Sequence, residues 1–164
     1  MKKTSIFIIF CFLPIFTITS KNLEQRPLSE FIELNSGNDI SLDKKDFSKN
    51  LIYESTRCSA LYAWIASVSS ELNNDKARKL EKKSTFNSKS LTGLALQTYL
   101  ADTIKPITIK EANLKINNML EDKIMKYQKD GQLLYNRNNK YISDYIKDDL
   151  EICNIMIEAY KETF

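Results

Sequence analysis

The chain has 164 residues, with 24 Lys and Arg against 21 Asp and Glu, a net charge of +3 and no histidine. That length is one domain's worth, and 43% hydrophobic residues are enough for a core. The missing histidine excludes a Ser-His-Asp triad, a Cys-His pair, any His-bearing zinc site and a Glu-x-x-His di-iron bundle, and the three scattered glycines, Gly37, Gly93 and Gly131, exclude a Gly-rich phosphate loop.

Residues 1–20 read as an address and not as part of the fold. Lys2 and Lys3 form a short positive start, and Ile6 to Ile18 is almost wholly apolar. This run falls short of the roughly 20 residues that span a bilayer, and Pro14 interrupts it. Small residues follow at Thr17, Thr19 and Ser20, then polar Lys21, Asn22 and Glu24. That is the layout of a cleavable secretory signal peptide, cut after Thr19 or Ser20; the alternative is an uncleaved anchor. Bulky Ile9 and Phe10 ahead of Cys11 argue against a lipoprotein.

Cleavage would remove Lys2, Lys3 and Cys11, leaving 22 basic residues against 21 acidic ones. A net +1 is not the electrostatic footprint of a nucleic-acid binder. Two cysteines, Cys58 and Cys153, would remain. In an oxidising compartment they have one intramolecular pairing. That bridge would close a loop of about 95 residues, for which the chain-entropy estimate is roughly 4–5 kcal/mol.

Residues 21–40 are expected to form a partly ordered arm on the surface of the body. Leu28, Phe31, Ile32 and Leu34 permit one short helix before the turn cluster Asn35–Asp39. The bundle domain then occupies 41–164. Asp43 as N-cap, Leu42 and Phe47 as a hydrophobic staple, and Asp46 in the first turn open the first long helix. Phe47, Leu51, Glu54, Cys58, Leu61, Tyr62, Ile65, Val68 and Leu72 recur along one face as far as Asn73. Beside it runs a row of small residues, Ser59, Ala63 and Ser67, which lets a second helix approach closely.

Residues 75–90 carry six basic residues against two acidic ones and read as a solvated helix and loop. A shorter apolar helix then runs from Leu91 to near Asp102, closed by Pro106. Thr108 and Glu111 fit a capping box for the next helix, whose face is Ile109, Ala112, Ile116, Met119, Leu120, Lys123, Ile124 and Tyr127. Gly131 either stops this helix or sits inside one that runs on to Tyr135. The last helix, from about Lys140 to Glu162, has the face Tyr141, Ile142, Tyr145, Ile146, Leu150, Cys153, Met156, Ile157 and Tyr160. No segment alternates at period two. The expected fold is therefore all-α, an antiparallel bundle of about four helices with the first and last long helices joined by Cys58–Cys153.

No residue set marks a catalytic centre, and no metal-ligand cluster or cofactor motif is present. The densest polar-aromatic segment is Tyr53 to Cys58 with Tyr62 and Trp64. Glu54 falls on the apolar face there and would need a partner, for which Arg57 is three residues on. Trp64 reads as core or as an interface anchor. Asp144, Asp148 and Glu151 read as a stripe pairing with Lys147. Lys79, Lys82 and Lys83 are the preferred interaction surface, because their charges have no place in a core.

The resulting expectation is an exported bacterial protein, periplasmic or secreted. Its role is that of a non-enzymatic protein-interaction or accessory factor of the cell envelope. Its partner would be an envelope protein, with no nucleic acid and no stable membrane insertion after signal cleavage. Two alternatives stand beside it. One is a binder of a small apolar or amphipathic ligand within the bundle, lined by Leu61, Ile65, Tyr145 and Met156. The other is an enzyme using a buried Glu54.

Overall fold

The computed structural model describes residues 26–36, 44–103 and 106–163. The expected signal peptide lies outside them, as do Leu42 and Asp43. The described residues form five helices and no strand: α1 Leu28–Ser36, α2 Lys44–Ser70, α3 Asp75–Asp102, α4 Ile109–Asn138 and α5 Asp144–Thr163. The four long helices alternate in direction, and α2 packs against α3, α4 and α5.

The start of α2 differs from its expected packing. Phe47 is exposed among the described residues. Burial begins with Ile52 and continues through Cys58, Leu61, Tyr62 and Trp64.

The segment read as a basic helix and loop followed by a shorter apolar helix is instead one helix of 28 residues. Asn74 caps it, its side chain accepting from the Ala77 amide at 2.9 Å. The buried positions Ala77, Ser84, Asn87, Leu91 and Ala95 fall on one face. Four of the five are small or polar, so hydrophobic periodicity does not reveal them. They suit the small row on α2. Ser59 Oγ donates to the Ser88 carbonyl at 2.9 Å and meets Thr92 Oγ1 at 2.7 Å. Such reach from a one-carbon side chain requires close backbone approach, and Ser and Ala permit it. Between α2 and α3 lies the most extensive helix contact of the molecule.

α4 opens as the sequence indicates. Thr108 Oγ1 accepts from the Glu111 amide at 3.2 Å, and Glu111 accepts from the Thr108 amide at 2.8 Å. It ends at Asn139, which takes a left-handed φ of 56° and donates its amide to the Tyr135 carbonyl. Gly131 lies inside this helix, without positive φ. A Cβ there would sit 2.6 Å from Trp64 Cζ2 and 3.3 Å from the Tyr141 carbonyl. Close approach of the Trp64 ring therefore accounts for a residue that costs a helix interior about 1 kcal/mol relative to Ala.

α5 begins later than expected. Ser143 caps it, accepting from the Ile146 amide at 3.1 Å while donating to Asp130 at 2.5 Å. Tyr141 and Ile142, expected on its buried face, lie in the preceding turn and are exposed.

The main core joins Leu61 and Trp64 of α2, Leu91 of α3, Tyr127 of α4, and Ile146, Cys153 and Ile157 of α5. Leu28 and Phe31 of α1 belong to it too, with Leu28 fully buried. The short first helix thus contributes to the core and does not merely lie over it. A smaller cluster of Ile52, Ala95 and Ile116 sits nearer the N-terminal end of α2.

Candidate functional site

The polar centre of the molecule is Asp149, on α5, with no exposed surface, facing Arg57 of α2, 2% exposed. Asp149 lies on the buried register Ile146, Asp149, Cys153, Ile157, so its carboxylate must enter the core with its neighbours. Arg57 meets it in a two-point grip, Nε to Oδ2 at 2.9 Å and Nη2 to Oδ1 at 2.8 Å. Tyr127 of α4 donates its hydroxyl to Oδ2, and the Leu28 amide of α1 donates to Oδ1 at 2.7 Å. The guanidinium is equally engaged. Nη1 donates to the Tyr53 hydroxyl at 3.1 Å and Nη2 to the Arg26 carbonyl at 2.5 Å. The Tyr145 ring lies 5.2 Å from its central carbon.

Four helices converge on this pair. Beside it, Ser29 donates its amide and hydroxyl to Asp148 at 3.1 and 2.8 Å. Two consecutive carboxylates of α5 thus receive the first amides of α1, where a helix dipole favours negative charge. The expected pairing of α5 acids with Lys147 holds for Asp144, at 2.8 Å; Asp148 is used between helices.

Burial pushes the Asp149 carboxyl up, and the Arg57 guanidinium, Tyr127 hydroxyl and Leu28 amide oppose it. Burial and the adjacent Asp149 push the Tyr127 hydroxyl well above its ordinary value, so it remains a donor. Both carboxylate oxygens are occupied and every guanidinium nitrogen donates. The arrangement fastens helices together and offers no unengaged base.

Glu54 and Arg57 are not a pair: Arg57 turns to Asp149 instead. Glu54 is half-buried, and burial pushes its carboxyl from 4.5 up to about 6. The folded chain therefore holds this proton more tightly than the unfolded chain does. The stability contribution is present below pH 4.5 and is lost as pH rises through 6. Replacing Glu54 with Gln is expected to raise stability by about 1–2 kcal/mol at pH 8 and to change little at pH 4. Urea denaturation at the two pH values checks this; equal effects at both would contradict it.

Cys58 and Cys153 are bonded, with Cα atoms 5.2 Å apart, and link α2 to α5. Arg57 adjoins one cysteine, and Asp149 lies one turn before the other. Trp64 is buried, its ring stacked near Tyr127 at 6.4 Å between centroids. Lys79, Lys82 and Lys83 are exposed on α3, remote in register from this centre.

A recess of about 10 Å³ beside the ion pair is lined by Tyr53, Arg57, Lys123, Lys126, Tyr127 and Tyr145. This is room for about one water molecule. Leu61, expected to line a ligand volume, is fully buried in the core with Ile65, Tyr145 and Met156 packed against it. Among the described residues, no group of three or more Cys, Asp or Glu is placed to hold a metal ion.

Comparison with protein-family models, curated proteins and solved structures finds no significant match.

The sequence reading missed Asp149, although it shares the heptad-like register of Ile146 and Cys153. It also missed Phe86. This ring is 58% exposed on α3. Lys79, Lys82, Lys83, Phe86 and Lys89 recur at three- and four-residue steps and share one face. All four lysines are exposed, and none is in an ion pair among the described residues.

Proposed function

We propose that this chain is a non-enzymatic accessory factor of the bacterial envelope, exported to the periplasm or beyond, that docks an acidic protein partner on the basic face of α3. One observation carries the reading: Phe86 stands exposed amid Lys79, Lys82, Lys83 and Lys89. An exposed ring ringed by cations is suited to anchor a contact whose approach the charges steer. The disulfide and the absence, among described residues, of a helix long and apolar enough to cross a membrane are compatible with an extracellular or oxidising location.

The test is affinity capture from envelope extract, comparing the wild-type chain with Phe86→Ser and with a Lys79→Ser/Lys82→Ser/Lys83→Ser variant. The expected result is one stoichiometric acidic protein, lost with Phe86→Ser. Its capture weakens in the triple variant and loses most of its salt dependence. Capture by Trp64, shown by loss on Trp64→Phe with the α3 variants unaffected, would place the contact elsewhere and refute the reading.

A further inference from the structure

The α2–α3 and α4–α5 turns meet at one end of the bundle. Trp64, near the end of α2, lies against Gly131 of α4, whose neighbour across the chain is the Tyr141 carbonyl. Glu71 lies within electrostatic reach of the Tyr141 hydroxyl. Each turn presents one exposed aliphatic side chain among polar ones: Leu72 is 52% exposed and Ile142 47%. Tyr135 and Tyr141 are exposed beside them, their rings stacked with centroids 4.5 Å apart and planes 15° from parallel.

Cations surround this apolar tip. Residues 70–79 and 135–147 contain six basic residues and three acidic ones. Two of the acids, Asp75 and Asp144, are held by Arg78 and Lys147 of the same helices at 2.7 and 2.8 Å. Lys76, Lys79, Arg137 and Lys140 are in no ion pair among the described residues.

Each ingredient has a counterpart at a bilayer surface. Tyrosine rings favour the headgroup level, with an apolar body and a polar tip. Short apolar side chains enter the boundary between headgroups and acyl chains. Lysine and arginine are drawn to anionic headgroups within a Debye length. Both segments combine a connecting turn with the helix ends beside it at one end of the bundle, where a flat surface can meet them together.

We propose that this end of the bundle docks peripherally on a lipid bilayer carrying anionic headgroups. Charge complementarity selects that surface: Lys76, Arg137 and Lys140 are exposed at this end and in no ion pair among the described residues, against one unheld acid, Glu71. Leu72 and Ile142 enter the headgroup boundary, the Tyr135–Tyr141 stack lies at its level, and Arg137 and Lys140 meet the phosphates. The contact shares Lys79 with the α3 face proposed above for a protein, but none of Leu72, Arg137, Lys140 and Ile142 belongs to that face, so either can fail without the other.

The experiment is co-sedimentation of the purified, disulfide-bonded protein with vesicles of phosphatidylglycerol and phosphatidylethanolamine, and with phosphatidylcholine vesicles for comparison. The expected result is binding to the anionic vesicles that weakens with salt. It falls about tenfold or more in Arg137→Gln/Lys140→Gln and likewise in Leu72→Ser/Ile142→Ser, and is unchanged in Phe86→Ser. All the altered residues are exposed, and a thermal melt confirms that the variants fold. Equal binding to both vesicle types overturns the proposal. So does wild-type binding by both double variants, or binding that depends on Phe86.

Discussion

Replacing Asp149 with alanine is expected to remove about 3–5 kcal/mol of stability, measured by urea denaturation. The carboxylate neutralises a guanidinium that is 2% exposed. Its removal leaves that charge in the core, and with it the Tyr127 hydroxyl and the Leu28 amide lose their acceptor. A domain of this size has about 5–15 kcal/mol in all, so the variant sits near the edge of folding. The companion measurement is the double replacement Arg57→Met/Asp149→Leu. Removing both charges leaves no uncompensated ion, and apolar replacements for buried pairs are often neutral or better. The double variant should therefore be more stable than Asp149→Ala alone. A loss below about 1 kcal/mol in the single variant would mean that water reaches the pair, contrary to its burial.

Loss of the disulfide is the second large effect. Converting both Cys58 and Cys153 to alanine is expected to cost about 2–5 kcal/mol, and reduction of the wild-type chain should give a similar loss. The closed loop spans 95 residues, so the unfolded ensemble loses much of its freedom when the bridge is present. Because Arg57 adjoins Cys58 and Asp149 lies one turn from Cys153, the bridge and the ion pair share their immediate backbone. Their losses are therefore expected to be non-additive, which a four-way comparison of denaturation midpoints measures directly. Unchanged stability under reducing conditions would contradict the first expectation; simple additivity would contradict the second.

Different helices declare themselves in the sequence by different means. The start of α4 is legible because Thr108 and Glu111 fix it locally, with no need of other elements. The link between Cys58 and Cys153 is legible because, of the three cysteines, Cys11 lies in the segment read as a signal peptide and the other two fall on apolar helix faces. The first half of α3 is obscure for a physical reason: its buried side is Ala77, Ser84 and Asn87, and its exposed side includes Phe86. Apolar periodicity there points the wrong way. Close packing against Ser59 on α2 replaces bulk burial as the organising interaction, and it belongs to the pair of helices.

The ion pair is obscure for a related reason. Charge patterning along one helix suggests neighbours three or four residues away, which led from Glu54 to Arg57. The partner that Arg57 takes is 92 residues distant. Nothing local distinguishes Asp149 from Asp148 except its register with Ile146 and Cys153. That register places one acid in the core and leaves the other to bind Ser29 at its margin. Exposed features such as the Phe86 face and the Leu72–Ile142 tip required side-chain burial to be known before they could be separated from core.

The Asp149 connections also govern the order in which the chain can close. Leu28, Arg57 and Cys58 wait for partners 121, 92 and 95 residues later. The α2–α3 hairpin needs only a short turn, and local contacts of that kind form early. In a chain that emerges N-terminus first, this hairpin can thus form before α5 is present. Until α5 arrived, Arg57 would have no counter-charge to justify burial and Cys58 would lack the partner it takes in the fold, Cys153. The core is therefore held unfinished until α5 is present, and that helix then supplies the carboxylate, the second cysteine and the dock for α1 in a single step.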